Sequence, residues 1–200
     1  MKKIDKIEPD FYKNFIRKNK PKEWFDLSKE IGKKTRKYML VFEQNNQCAY
    51  TEKLIIPENS HIDHFKKQDF IKQGLFKINI FCWNNLLTSC NNEFYGAKYK
   101  DKIIKSTEYE NLINPVIENP NDYLEYSTTG KILSKNDNKK GQITIDLLNL
   151  NDYELVSQRK TVAIQVKSMY NEFTVNEIVK FIGKFESFIK GIYTNFDGTD

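Results

Sequence analysis

Histidine is almost absent from this 200-residue chain: there are two, and both lie within Ser60-His61-Ile62-Asp63-His64-Phe65. Cysteine is as scarce, at positions 48, 82 and 90. An odd and small set excludes the disulfide framework that staples small secreted domains. Arginine occurs only at 17, 36 and 159, so nearly all the positive charge behind the net +5 is lysine. Lysine meets phosphate as a point charge and reads base edges poorly, so any nucleic-acid contact is expected to be with backbone rather than with sequence. No apolar run reaches the length of a membrane span, and the amino terminus carries no signal-like apolar stretch. The expectation is a cytoplasmic protein with no membrane partner. Internal repeats and low-complexity linkers are missing too.

What is present suits a folded domain. The apolar fraction is 39%, and fourteen Phe and eleven Tyr make an aromatic-rich core the expectation. The isoelectric point near 8.9 suits a nucleic-acid partner. A lysine- and asparagine-rich composition also follows from an AT-rich genome. The length favours a single domain over 1–200.

Helical spacing of Ile4, Ile7, Phe11 and Phe15 predicts a short amphipathic segment before or around Pro9. A second helical pattern runs from Pro21 to about Asn45, with Lys33, Lys34, Arg36 and Lys37 on a face that is solvated or touches phosphate. Cys48–Ile56 reads as a strand or knuckle, and Ser60–Phe65 as the next strand. Residues 66–80 read as a basic linker, and Phe81–Ser89 as a return strand with its turn. A helix is expected directly after Cys90. Tyr123–Tyr126 and Lys131–Leu133 look like a hairpin. Ile143–Met169 is helical in pattern, with Asn151 as an N-cap, and Glu172–Tyr193 reads as one amphipathic helix. Asn195–Asp200 are expected to fray. The fold class is α+β and mainly helical. It divides into an N-terminal helical segment (1–45), a ββα finger (46–104), and a hairpin with C-terminal helices (105–200).

The chemistry-bearing residues cluster in the finger. Asp63-His64 is followed by Trp83-Asn84-Asn85-Leu86-Leu87, then Cys90-Asn91-Asn92, then Gly96-Ala97-Lys98-Tyr99-Lys100-Asp101. This set resembles the HNH (His-Me finger) nucleases. Hydrolysing a phosphodiester needs an activated water, a charge to hold the phosphate, and stabilisation of the leaving oxygen. The resemblance implies that His64 is the general base and that Asp63, on the opposite strand face, is a ligand of one Mg²⁺ or Mn²⁺ ion. It implies that Asn85 braces the loop, and that Asn91, or else Asn92, is the second metal ligand. His61 is either a substrate-phosphate contact or an exposed strand residue. Lys66, Lys67, Lys98 and Lys100 are the candidate nucleic-acid contacts.

The likeness extends further. Cys48-Ala49-Tyr50-Thr51-Glu52 is similar to the Cys-Ala-Tyr-Cys-Glu knuckle of the retron-associated and Septu-type (PtuB-like) HNH proteins. Trp83-Asn84-Asn85-Leu86-Leu87-Thr88-Ser89-Cys90 is similar to their Trp-x-Asn-Leu-Leu-x-Ser-Cys. The segment from Thr144 through Asn151 and Leu155 to Arg159 resembles a later one. The resemblance implies an antiphage endonuclease acting on DNA or tRNA with an SMC/ABC-like ATPase (PtuA-like), and a retron reverse transcriptase with its DNA as a further partner. A catalytically weak or inactive nucleic-acid-binding subunit on the same scaffold is the alternative, and a stand-alone endonuclease a third reading. The family's four-Cys zinc site departs here. Thr51 replaces one thiol and Glu93 or Tyr95 another, so no structural zinc is expected, with Cys48 and Cys90 buried as small apolar residues. The C-terminal amphipathic stretch (172–193) is expected to close the core, with docking on the ATPase as the secondary role.

Overall fold

The computed structural model describes residues 1–196. It is mainly helical, with two small antiparallel sheets. Helix α1 (Asp10–Asn19) starts directly after Pro9, whose fixed φ suits a helix entry. Helix α2 (Lys29–Tyr38) is capped by Ser28, whose Oγ accepts from the Ile31 N–H. It widens into a π-helical turn over Met39–Glu43. Two features differ from the single helix suggested for 21–45: this turn and a 3₁₀ turn at Trp24–Asp26.

Strands β1 (Ser60–His64) and β2 (Leu86–Cys90) pair antiparallel, with His64 opposite Leu86 and Ser60 opposite Cys90. Between them, α3 (Gln68–Lys72) replaces part of the expected linker. The segment before β1 is a knuckle with one isolated bridge, Gln47 to Leu54. It is held against β2 by the Gln44 side chain. That amide donates to the Gln47 and Thr88 carbonyls and accepts from the Thr88 N–H.

Strand β2 is buried along its whole length. Alternation sends Leu86 and Leu87, both fully buried, to opposite faces. Leu86 joins Tyr12, Met39, Phe81 and Trp83 in a smaller aromatic cluster under α1 and α2. Leu87 joins a larger core built with the C-terminal helices.

Helix α4 (Ala97–Ile103) begins seven residues after the end of β2, not directly after it. The hairpin of β3 (Leu124–Tyr126) and β4 (Ile132–Ser134) follows. The helical pattern over 143–169 is two helices, α5 (Lys139–Leu147) and α6 (Tyr153–Met169). The break is set by Asn149 in the left-handed region and by Asp152, which caps α6 in place of Asn151. Asn151 instead exchanges two hydrogen bonds with the Ile132 backbone. The terminal stretch is also two helices, α7 (Val175–Ile182) and α8 (Glu186–Tyr193). Gly183 and Phe185, both at positive φ, separate them. Phe185 is held there by its N–H donating to the Glu52 carbonyl and by burial of its ring. Thr194–Phe196 add one 3₁₀ turn, and the rest of the segment expected to fray, 197–200, lies outside the described residues. No helix among the described residues is long and apolar enough to cross a membrane.

Arg159 ties the break to the hairpin. Its guanidinium is 1% exposed and donates to the carbonyls of Gly130 (2.6 Å) and Leu150 (2.7 Å). Arg159→Met keeps the aliphatic stem but leaves both carbonyls without that donor. The expected loss is about 3 kcal/mol of folding stability, read as a lower urea midpoint at unchanged slope. An unchanged midpoint contradicts it.

Candidate active site at the end of β1

Strand alternation and the bend after β1 decide this site. Asp63 is 3% exposed and His64 5% exposed, and both border a cleft of about 340 Å³ with His61, Lys67, Lys98 and Asp101. Asn85 fixes the bend. Its Oδ1 accepts from the Lys66 N–H (2.8 Å) and its Nδ2 donates to the Lys66 carbonyl (3.0 Å). The Asn85 carbonyl also accepts from the Phe65 N–H. One amide thus replaces a rung of the sheet where the backbone turns away.

His64 Nε2 lies 2.9 Å from the Ile80 carbonyl, which only accepts, so Nε2 carries the proton. Nδ1 is left with a lone pair and accepts from the Gln68 side-chain amide at 3.2 Å. Trp24 packs edge-on against the ring, with centroids 4.5 Å apart. Burial pushes the His64 pKa below the ordinary imidazole value. The result is a neutral, oriented imidazole whose Nδ1 can accept a proton.

Asp63 is tied down. Its Oδ2 accepts from the Tyr50 hydroxyl and from Lys100 Nζ at 3.1 Å. Burial disfavours the carboxylate, but the Lys100 charge and the Tyr50 hydrogen bond outweigh it and hold the pKa below the usual range. Asp101 faces the same ammonium at 3.3 Å. Burial, and the neighbouring Asp63 charge, raise its pKa to about 6.

Of the remaining expected residues, His61, Lys67 and Lys98 line the cleft, whereas Asn91, Asn92, Lys66 and Lys100 do not. Asn91 is exposed on the loop after β2, away from the cleft lining, and Asn92 uses its Oδ1 on the Phe94 N–H. The loop runs on to Gly96, which enters α4 at φ 76°. Lys100, expected as a nucleic-acid contact, is fully buried, and its ammonium is bonded internally. Lys67 donates to the Asp101 carbonyl at the cleft rim. Lys98 pairs with Glu93, and Lys66 lies over the Phe76 ring. His61 is half-buried, and its Nδ1 has no hydrogen-bond partner. Tyr50, Gln68, Ile80 and Asp101 were not assigned roles from sequence. Tyr50 and Asp101 lie inside motif stretches, whereas Gln68 and Ile80 carry no local signal.

The divalent ion and the zinc implied by the family resemblance meet a poor fit. Among the described residues no group of three or more His, Cys, Asp or Glu is placed to hold a metal ion. Asp63 is already paired with Lys100, and Asn91 is not among the residues lining the cleft. Cys48 and Cys90 lie with sulfurs 3.7 Å apart, both buried. Of their would-be partners, Glu93 is exposed and paired with Lys98 and Lys102, while the Tyr95 hydroxyl bonds Lys53 and Glu154.

No family model matches the chain. It is similar to the Septu protein PtuB of Bacillus mycoides (strain KBAB4), with 31% identity over 146 residues. The match covers 62% of this chain and 49% of that protein, so the chain spans about half the length of the curated relative it matches.

The lowered His64 pKa has a consequence for stability. Below the ordinary value of 6.5 the unfolded chain takes up a proton that folded His64 resists, so stability falls as pH drops from 6.5 toward the folded value. Asp101, raised to about 6, acts in the opposite sense in both wild type and variant. Urea midpoints of wild type against His64→Gln are expected to differ in slope over that window, the variant losing less stability as pH falls. Parallel curves contradict the assignment.

Proposed function

We propose that this chain is the nucleic-acid-cleaving subunit of a Septu-type antiphage assembly, an HNH-type endonuclease that works with an SMC/ABC-like ATPase. The single observation that carries the chemistry is His64, neutral and oriented by Ile80 and Gln68 at the edge of a lysine-rimmed cleft. The system is suggested by the similarity to a Septu protein.

In this reading Lys67 and Lys98 draw the phosphate backbone to the rim. With a water displacing the Gln68 amide, His64 Nδ1 takes a proton from that water as its oxygen attacks phosphorus. The P–O bond to the leaving nucleotide breaks, and its oxygen is protonated from solvent. Asn85 acts as a positioning residue, because it holds the bend that aims the imidazole. The Mg²⁺ or Mn²⁺ of the resemblance enters no step here.

A second reading has its own observation. Asp63, whose Oδ2 is held by Lys100 and Tyr50, suits a non-catalytic binding subunit that keeps the scaffold.

The test is cleavage of plasmid DNA and total tRNA by the chain with its ATPase subunit. His64→Ala is expected to lower the rate by roughly a hundredfold or more, while Lys67→Gln weakens substrate binding with a smaller effect on the rate at saturation. Cleavage untouched by His64→Ala refutes the assignment. No cleavage in any combination favours the binding subunit.

A further inference from the structure

The surroundings of Lys100 are those of a cation seat. Its Nζ lies 3.1 Å from Asp63 Oδ2, 3.2 Å from the His64 carbonyl and 3.0 Å from the Phe65 carbonyl. Asp101 Oδ1, at 3.3 Å, is a fourth oxygen and has no hydrogen-bond partner of its own. Carboxylates and backbone carbonyls converging on one point are the ligand set of a hard cation. An ammonium has three donors, and the first three oxygens take all of them. The side chain is fully buried, so it reaches neither solvent nor a docked phosphate. The faces of Tyr50 and Phe65, 5.6 and 5.7 Å from Nζ, flank the same charge.

We propose that Lys100 is the resident cation of this cleft, filling the oxygen seat beside Asp63 so that the folded chain accepts no divalent ion there. The inference rests on the nuclease reading only for its significance, since the seat is defined by the four oxygens alone. A divalent ion would have to displace an ammonium that compensates a buried carboxylate. It would also have to sit beside any positive charge that remained. Removing Lys100 leaves the oxygens converging on an empty position, with two carboxylates unneutralised.

Mn²⁺ is the probe, because its paramagnetism broadens nearby signals, and the two histidines of this chain line the same cleft as Asp63 and Asp101. For wild type, millimolar Mn²⁺ is expected to give no saturable broadening of the His61 and His64 ring resonances. Saturable broadening that Asp63→Asn abolishes overturns the proposal. For Lys100→Ser, saturable broadening of both rings is expected, and its loss in Lys100→Ser/Asp63→Asn assigns it to the seat. A folded Lys100→Ser that gains no binding overturns the proposal. If Lys100→Ser unfolds in EDTA, Mn²⁺ is expected to restore its folded spectrum and raise its Tm, and failure to do so overturns it as well. The nuclease reading fails separately. A chain that never cleaves but gains Mn²⁺ on losing Lys100 keeps this inference and loses that one. A wild type whose His64-dependent cleavage requires Mn²⁺ bound at Asp63 does the reverse.

Discussion

A buried ammonium against a buried carboxylate fixes how α4 meets β1. Lys100 is the point of attachment: three bonds to Asp63, His64 and Phe65 leave the helix little freedom to slide along the strand. Burial alone lowers a lysine pKa, yet the charges of Asp63 and Asp101 outweigh it and raise that of Lys100, so the pair stays ionised. Such a pair adds little net stability over a hydrophobic replacement, but losing one partner strands a charge in the interior. Everything around the cleft inherits that constraint. His64 takes its backbone position from a strand pinned through its own carbonyl, and Asn85 then sets the turn that follows.

Strand β2 explains how so short a sheet supports the site. Two strands alone are marginal in water. Here the inner strand is sandwiched, with Leu86 feeding the aromatic cluster of α1 and α2 and Leu87 the core of the C-terminal helices. Trp24 and Phe81 come from the first cluster and stack beside the His64 ring. The aromatic richness visible in the composition is therefore placed next to the chemistry. It desolvates the imidazole and keeps it neutral.

The site was legible in the sequence only where its geometry is local. Asp63 and His64 stand on one strand and Asn85 just before its partner, so the motif resemblance, which is local in sequence, brought them to attention. Ile80, which sets the tautomer of His64, is sixteen residues away and acts through its backbone carbonyl, which no side-chain pattern advertises. The helix expected directly after Cys90 waits until Ala97, so Asn91 stands exposed on a loop and outside the cleft lining rather than on a first helical turn. Lys100 read as a surface charge because lysine usually is one, and only tertiary packing reveals the oxygens around it. The same limit holds for the fold. Apolar spacing runs on across Gly183–Phe185, yet Phe185 adopts a left-handed backbone because Glu52, far off in sequence, accepts its N–H.

The knuckle and the cleft show one pattern. At the knuckle two thiols remain, and the would-be ligand position at Tyr95 sends its hydroxyl to Lys53 at 2.6 Å. Lys53 in turn reaches Glu154 on α6 at 2.5 Å. At the cleft, Lys100 gathers Asp63 and two carbonyls. In both places a flexible lysine stem carries a charge to a set of oxygens. The ammonium accepts a range of distances and angles, whereas a small divalent ion enforces its geometry. A lysine-held site thus keeps its shape only through the packing around it. The two buried clusters on either face of β2 supply that packing, and so the cores and the cleft form one mechanical unit.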